Sequence, residues 1–130
     1  MVPLEDEEQS AFVEWLEMLG LRFSSVPNST FTKSWSQKAK NHRTGLRKGF
    51  PDLVVLIPPS RSVNGEGFFL CIEMKRRKGG VVSPEQHQWI DAINALDTPG
   101  VAAYVCHGAP QAIDLVKKHL KPMPEPVELF

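Results

Sequence analysis

Two apolar runs in the middle of the sequence constrain the fold more than any other feature. Residues 52–57 read DLVVLI and residues 68–75 read FFLCIEMK, and each has the length of a strand in a compact sheet. Turn-forming residues at 58–60 and 64–67 bracket the ten-residue connection, which favours an antiparallel hairpin. Because the first run is apolar at consecutive positions, we expect a strand buried on both faces and helices on both sides of the sheet.

Helical and strand patterns flank this hairpin. Residues 4–19 follow the spacing of an amphipathic helix that ends at Gly20, with an apolar stripe of Phe12, Trp15, Leu16 and Leu19. We expect a short strand at 21–26, a helix from Ser83 to Leu96, a strand at 101–106 and a helix at 110–120. The predicted order is α-β-β-β-α-β-α, a small mixed sheet flanked by helices. Its last two strands should be parallel, because a helix crosses over between them.

The length and composition indicate one ordinary globular domain. We expect a single domain over 1–120 and an extended, proline-rich tail over 121–130 of the 130 residues. No apolar run approaches the roughly 20 residues of a membrane span, and the acidic N-terminal residues are unlike a signal or transit peptide. Cys71 and Cys106 lie in apolar runs without metal-ligand spacing, which favours reduced core cysteines in a cytoplasmic protein. We expect no membrane and no small-molecule cofactor as partners.

The charges are segregated although the 15 basic and 15 acidic residues cancel. Residues 1–17 contain six acids and no lysine or arginine, whereas residues 18–51 contain seven cations and no acid, and a second basic run covers 75–78. Such segregation is typical either of a phosphate-binding surface or of solvated loops. Residues 28–49 are predicted to form a long basic loop with a helical turn near 35–41, in which Trp35 and Phe31 either stack on bases or anchor the loop.

The predicted hairpin brings three charged residues together. If Ile57 faces Phe68, the antiparallel register places Asp52 opposite Glu73, and period-two alternation places Lys75 on the same face as Glu73. Adjacent carboxylates repel unless one is protonated or a cation lies between them. The group suits Mg²⁺-assisted phosphodiester hydrolysis, in which the lysine orients water or stabilises charge. The alternative is an ordinary set of solvated strand ends.

Two further positions have both a structural and a functional interpretation. Glu5 and Glu8 both continue the apolar stripe of the first helix toward the sheet edge, and periodicity alone does not choose between them as a third acid. Acids in a first helical turn also interact favourably with the helix dipole. Gln86 completes a capping box with Ser83, or its amide reaches a metal-bound water or a phosphate.

The motifs and their order resemble a known nuclease family. The matching segments are Glu5-x-x-x-Gln9, Trp15-Leu16, Val26-Pro27-Asn28, Gly49-Phe50-Pro51-Asp52, Ile72-Glu73-Met74-Lys75, Ser83-Pro84-Glu85-Gln86 and Tyr104-Val105-Cys106. Together they resemble the virus-type replication-repair nuclease (VRR-NUC) domain of the PD-(D/E)xK nuclease superfamily, in its stand-alone phage form. The resemblance covers the chain from about Glu5 to Leu120.

The resemblance implies an α-β-β-β-α-β core, a divalent Mg²⁺ or Mn²⁺ and cleavage that leaves a 5′-phosphate. The metal ligands that it implies are Asp52, Glu73, the backbone carbonyl of Met74 and Glu5. It favours Glu5 over Glu8, gives Lys75 the role of positioning or activating water, and makes Gln86 a site residue as well as a cap. Stand-alone viral members resemble Holliday-junction resolvases and act as homodimers.

We therefore expect a metal-dependent, structure-specific DNA endonuclease that acts on branched DNA, a four-way junction or a flap. We expect it to be a homodimer with a resolvase-like role in phage replication, repair or recombination, in a bacterial host cytoplasm. The predicted contacts to DNA phosphates are Lys33, Lys38, Lys40, Arg43, Arg47, Lys48, Arg76 and Arg77. The alternatives are a sequence-specific restriction-type nuclease and a non-catalytic DNA-binding module on the same fold.

Overall fold

The computed structural model describes residues 2–27 and 34–122. In these residues the elements are α1 (Glu5–Leu19), β1 (Arg22–Ser25), α2 (Trp35–Arg43), β2 (Leu53–Ile57), β3 (Phe68–Lys75), α3 (Pro84–Asn94), β4 (Val101–His107) and α4 (Ala109–His119), with a 3₁₀ turn at Pro59–Arg61. The predictions for Phe31, Lys33 and most of the tail, residues 123–130, lie outside the described residues. The predicted elements are present within one to two residues at each end, and α2 is an addition to the predicted order.

The four strands form one mixed sheet in the order β1-β2-β3-β4. The pairs β1–β2 and β2–β3 are antiparallel, and the β3–β4 pair, joined across α3, is parallel as predicted. The hairpin pairs Ile57 with Phe68 and Leu53 with Ile72, which is the predicted register. Asp52 and Glu73 therefore lie opposite each other at the open end of the hairpin.

One face of the sheet carries the hydrophobic core. The helices α1 and α4 cover it, and the fully buried side chains at its centre are Phe12, Leu16, Leu53, Val55, Leu70, Ile72, Ala112 and Val116. Burying each large apolar side chain contributes about 1.5–3 kcal/mol, so this packing holds α1 firmly on the sheet. The N-terminal turn of α1 is thereby fixed near the open end of the hairpin.

The packing around α3 and β2 corrects two predictions. Val54 is half-buried and Leu56 is 37% exposed, so the prediction that β2 is buried on both faces is wrong. The helix α3 ends at Asn94 rather than Leu96, and Leu96 is 65% exposed. The backbone turns out of the helix before Asp97, whose φ is 47°. At the last helical residue the Asn94 side chain pairs with Ala103, donating to its carbonyl at 3.0 Å and accepting from its N–H at 2.9 Å.

The region 35–43 corrects a third prediction, because it is a nine-residue helix rather than a helical turn near 35–41 in a loop. Ser34 caps its first turn by accepting a hydrogen bond from the Gln37 N–H. None of its residues is buried, so an apolar stripe could not have revealed it.

Two further expectations concern the cysteines and the membrane. Cys71 and Cys106 are buried and free, as predicted, and burial raises the pKa of both thiols, to about 11 for Cys106. Within 2–27 and 34–122, the helices are too short or too polar to cross a bilayer.

Candidate metal centre

The open end of the β2–β3 hairpin positions the first two acids. Asp52 immediately precedes β2, and its Oδ2 accepts a hydrogen bond from the Met74 N–H at 2.8 Å. Glu73 lies near the end of β3 and is 1% exposed, and Lys75, two residues further, is 7% exposed. The backbone pairing thus holds Asp52 and Glu73 side by side.

The third acid comes from the first turn of α1. Ligand atoms of Glu5, Asp52 and Glu73 all lie within 4.8 Å of one another, which is close enough for one ion to touch all three. Of the two candidates that helical periodicity left open, Glu5 joins this cluster. Glu8 points instead at Arg77.

The Glu73 carboxylate lacks the partners that a buried charge needs. Neither Oε1 nor Oε2 has a hydrogen-bond partner among the described residues when both acids are ionised, and the Lys75 ammonium is 3.9 Å from Oε2. Burial is the main reason that the pKa of Glu73 is raised to about 9; a hydrogen bond from its protonated form to Asp52 and the Asp52 charge add to the rise, and Lys75 opposes it. An isolated buried carboxylate is costly unless it is protonated or neutralised by a cation. These orphaned oxygens fit a hard divalent ion such as Mg²⁺ or Mn²⁺.

Glu5 shares this electrostatic environment at the rim of the cluster. Partial burial raises the pKa of Glu5, Lys75 opposes the shift, and Asp52 adds to it. Three carboxyl groups therefore face one lysine. When all of them are ionised, the cluster has an excess of negative charge that favours a divalent cation over a monovalent one.

A separate ion pair anchors the helix that carries Glu5. Glu8 is 1% exposed, and it accepts from Arg77 Nε at 2.7 Å and Nη2 at 3.1 Å and from the Ala109 N–H at 3.2 Å. The Arg77 guanidinium is the main reason that the pKa of Glu8 is lowered. Gly108 makes room for this pair, since a Cβ there would lie 2.7 Å from Arg77 Cγ. Because Glu5 lies one turn before Glu8, the ion pair positions Glu5 as well.

The N-terminus of α3 lies against the segment that leads into Asp52. Ser83 and Gln86 form the predicted capping box, with the Ser83 N–H donating to Gln86 Oε1 at 2.8 Å and the Gln86 N–H donating to Ser83 Oγ at 3.1 Å. A Cβ on Gly49 would lie 2.6 Å from the Glu85 carbonyl carbon, so only glycine fits there. Trp89 Nε1 also donates to the Lys48 carbonyl at 3.1 Å.

Three of these supporting residues were missed by the sequence reasoning. Gly49 stands in a motif that was singled out for its aspartate, and its own role depends on α3. Trp89 lies within a helix that the sequence predicts, but no local pattern links its indole to Lys48. Arg77 was assigned to DNA, and nothing in the sequence links it to Glu8, 69 residues away.

The predicted DNA contacts fall into two groups. Those around α2 are exposed, and Lys38, Asn41, His42, Leu46, Arg47 and Lys48 line a groove of about 460 Å³. Lys40 and Arg43 are exposed on the same helix. The second group, Arg76 and Arg77, is partly engaged in contacts within the fold. Arg77 pairs with Glu8, although half of its side chain stays exposed. Arg76 is half-buried, and its backbone carbonyl lies 3.1 Å from His107 Nδ1.

A mixed sheet with an acidic cluster and a lysine at the open end of its central hairpin defines a nuclease-type domain. The sequence model of the VRR-NUC domain family matches residues 3–110. The chain therefore belongs to the VRR-NUC domain family.

The chain is similar to a solved structure but matches none of the curated proteins. A solved structure described as a VRR_NUC domain protein is similar, with 22% sequence identity and a TM-score of 0.70 over 92% of this chain and 89% of that chain. At this identity the likeness shows the fold. No curated protein matches the chain.

Proposed function

We propose that this protein is a divalent-metal-dependent, structure-specific DNA endonuclease that cleaves branched DNA in the manner of a Holliday-junction resolvase. The observation that carries the proposal is the Glu73 carboxylate, buried and without a hydrogen-bond partner in the described residues, beside Asp52, Glu5 and Lys75. Membership of a nuclease family supports phosphodiester hydrolysis as the chemistry for which this cluster exists.

Each residue of the cluster has a role that follows from its chemistry. The residues that would hold Mg²⁺ or Mn²⁺ are Asp52, Glu73, Glu5 and the backbone carbonyl of Met74. A bound ion supplies polarisation of the phosphate and a water of lowered pKa. Lys75 orients the attacking water or stabilises charge on the phosphate. Because the Gln86 carbonyl oxygen is used in the cap, its NH₂ group is the end that donates to a phosphate oxygen or to water.

The cations around α2 supply the affinity for DNA. Contacts to backbone phosphates position a nucleic acid without reading its sequence, so we propose low base specificity and strong salt dependence. Within this proposal the contacts are Lys33, Lys38, Lys40, Arg43, Arg47, Lys48, Arg76 and Arg77.

The proposal also includes the number of chains and the cellular process in which the protein acts. A four-way junction has two-fold symmetry, and a homodimer presents two equivalent sites to it. We propose such a homodimer, acting in phage replication, repair or recombination in the cytoplasm of a bacterial host. Sedimentation of the free protein and of its junction complex measures the number of chains; a single chain on a cleaved junction would contradict the dimer.

The test is cleavage of labelled four-way junction, flap, single-stranded and duplex DNA of random sequence, with Mg²⁺, with Mn²⁺ or with EDTA. We expect metal-dependent cleavage of branched DNA that falls at least about 10²-fold in Lys75→Ala, because a positioned charged group is lost at the reacting phosphate. Lys118→Ala, on the exposed surface of α4, is the matched control and should cleave normally.

Two outcomes would contradict the proposal in different ways. Binding of the junction without cleavage of any substrate would favour the non-catalytic module. Cleavage confined to one base sequence, in plain duplex, would favour a restriction-type nuclease.

A further inference from the structure

The helix α2 carries an aromatic side chain that does not pack on the core of the described residues. Trp35 is 84% exposed, more than any other large apolar side chain in the described part of the chain. Tryptophan side chains in cores and interfaces typically bury about 150–250 Å². The sequence left open whether Trp35 stacks on a ligand or anchors its own segment. Its exposure excludes anchoring against the described residues.

The helix is nevertheless well formed at both ends. The Gln37 N–H donates to Ser34 Oγ at 3.2 Å, and Gln37 Nε2 donates to Asn41 Oδ1 at 2.7 Å. At the other end Thr44 Oγ1 donates to the Lys40 carbonyl at 2.8 Å. These local hydrogen bonds hold the helix without a packed face, so its side chains stay available to a partner.

The surroundings of Trp35 are basic. Lys38 Nζ lies 5.5 Å from the centroid of the Trp35 ring, and Lys38 also lines the groove of about 460 Å³ with Arg47 and Lys48. No acid occurs between residues 18 and 51. Two such helices facing each other would repel, whereas a polyanion is attracted. An exposed aromatic ring beside a cationic groove is the combination that binds single-stranded nucleic acid.

The groove is connected to the acidic cluster by a short, fixed segment. Lys48 is four residues before Asp52, so their Cα atoms are at most about 14 Å apart. The Trp89 indole and the close approach of Gly49 to α3 hold this segment in place. The end of the groove therefore lies close enough to Asp52 for a bound strand of a few nucleotides to span both.

We propose that Trp35 is a stacking platform for one unpaired base, while Lys38 and the groove bind the adjacent phosphates. The protein then prefers DNA with an unstacked base near the cut, at a branch point, in a flap or in a single strand, over continuous duplex. This inference rests on the proposed nuclease function only for the cut; base stacking itself is a binding property.

The test measures binding in EDTA, where cleavage does not interfere, by fluorescence anisotropy of labelled DNA. The probes are a flap, a single strand and a duplex of equal phosphate number. For Trp35→Ala we expect about 5- to 100-fold weaker binding to the flap and the single strand, with duplex binding changed less than about twofold. Trp35→Phe should restore most of the loss, since a phenyl ring also stacks.

Two controls separate stacking from charge and from misfolding. Met18→Ala removes a side chain that is also highly exposed, at 83%, but lies on the acidic helix α1, and should leave all affinities unchanged. Lys38→Ala should weaken binding to every probe and reduce the salt dependence by about one phosphate contact. Circular dichroism checks that each variant is folded.

Three results would overturn the inference. They are an equal loss on duplex and flap, no loss on any probe, or a change from dimer to monomer in Trp35→Ala, which would make α2 a contact between copies of the chain. Because these measurements do not involve Lys75-dependent cleavage, failure of the stacking proposal and failure of the nuclease proposal are distinguishable.

Discussion

Two glutamates in this molecule, Glu8 and Glu73, are equally buried, but they differ in their hydrogen-bond partners and in the direction of their pKa shifts. Each is 1% exposed. Glu8 accepts two hydrogen bonds from Arg77 and one from the Ala109 N–H, and its pKa is lowered. Glu73 has no hydrogen-bond partner among the described residues, and its pKa is raised. Burial alone therefore does not distinguish the two glutamates, whereas burial without a partner makes Glu73 the candidate for a functional carboxylate.

The two glutamates are nevertheless parts of one arrangement. Glu8 fixes the first turn of α1 against Arg77 and the start of α4, and Glu5 extends from that turn toward Glu73. The ion pair of Glu8 thus helps to position the carboxyl group of Glu5 beside Glu73. The predictions below separate these two roles, starting with the largest effect.

The largest difference is expected in catalysis. Glu73→Gln should reduce metal-dependent cleavage by about 10³-fold or more, because a metal ligand is lost and the ion contributes several kcal/mol to the transition state. Glu8→Gln should retain cleavage at saturating Mn²⁺ but need about 10-fold more Mn²⁺ to reach it, because it loosens the turn that carries Glu5. Initial rates on a labelled junction across a Mn²⁺ titration measure both. Cleavage by Glu73→Gln within tenfold of wild type would remove Glu73 from the metal site.

The second difference is in folding stability without divalent metal, which the two substitutions should change in opposite directions. At pH 8 the Glu73→Gln variant should be more stable than wild type by about 2 kcal/mol, because wild-type Glu73 must take up a proton or bury a charge on folding and glutamine does neither; Glu8→Gln should be less stable. Urea unfolding followed by circular dichroism gives both values. A loss of stability in Glu73→Gln would mean that the carboxylate is stabilised by its surroundings after all.

The pH dependence of these effects follows from the directions of the pKa shifts. The pKa of Glu73 is raised from 4.5 to about 9, so its contribution to stability is fully present below pH 4.5 and is lost as the pH rises toward 9. The gain in Glu73→Gln should therefore grow from pH 5 to pH 8. The pKa of Glu8 is lowered, so its contribution is present above pH 4.5 and is lost as the pH falls. The cost of Glu8→Gln should shrink in acid.

The smallest effect is on metal affinity. Because Glu73 must lose its proton to bind a cation, the Mn²⁺ affinity should rise by at most about tenfold per pH unit below pH 9 and level off above it. Calorimetry in two buffers of different ionisation enthalpy should detect about one proton released per ion at pH 7.5. Glu8→Gln is the control and should release the same number. An affinity that does not depend on pH would show that Glu73 is already ionised.

The sequence predicted the parts of this arrangement that depend on strand geometry. The hairpin register follows from the positions of two apolar runs. In an antiparallel pair the two residue numbers always add up to the same value, so pairing of Ile57 with Phe68 places Asp52 opposite Glu73. The parallel β3–β4 pair follows from the helix between them. The capping box of Ser83 and Gln86 follows from local chemistry.

The parts that depend on distant partners could not be predicted. Glu5 and Glu8 share a stripe of the same helix, and Glu8 is held away from the cluster by Arg77 and the Ala109 N–H, both far along the chain. The exposure of Leu56 depends on how many layers cover the sheet, which the apolar run 52–57 does not encode. The helix α2 lacks an apolar stripe because it does not pack on the core.

The side chain of Asn94, the last residue of α3, has a consequence for assembly and aggregation. It pairs with Ala103 on the outer side of β4, the last strand of the sheet, and the Val101 and His107 N–H groups there donate to the Thr98 carbonyl and to Gln111 Oε1. An additional strand would need these same donors. Three outward N–H groups of β4 are thus already occupied within the chain, which disfavours strand addition and edge-to-edge growth at this side of the sheet. Pairing of β4 edges is therefore a disfavoured route by which copies of this chain could associate.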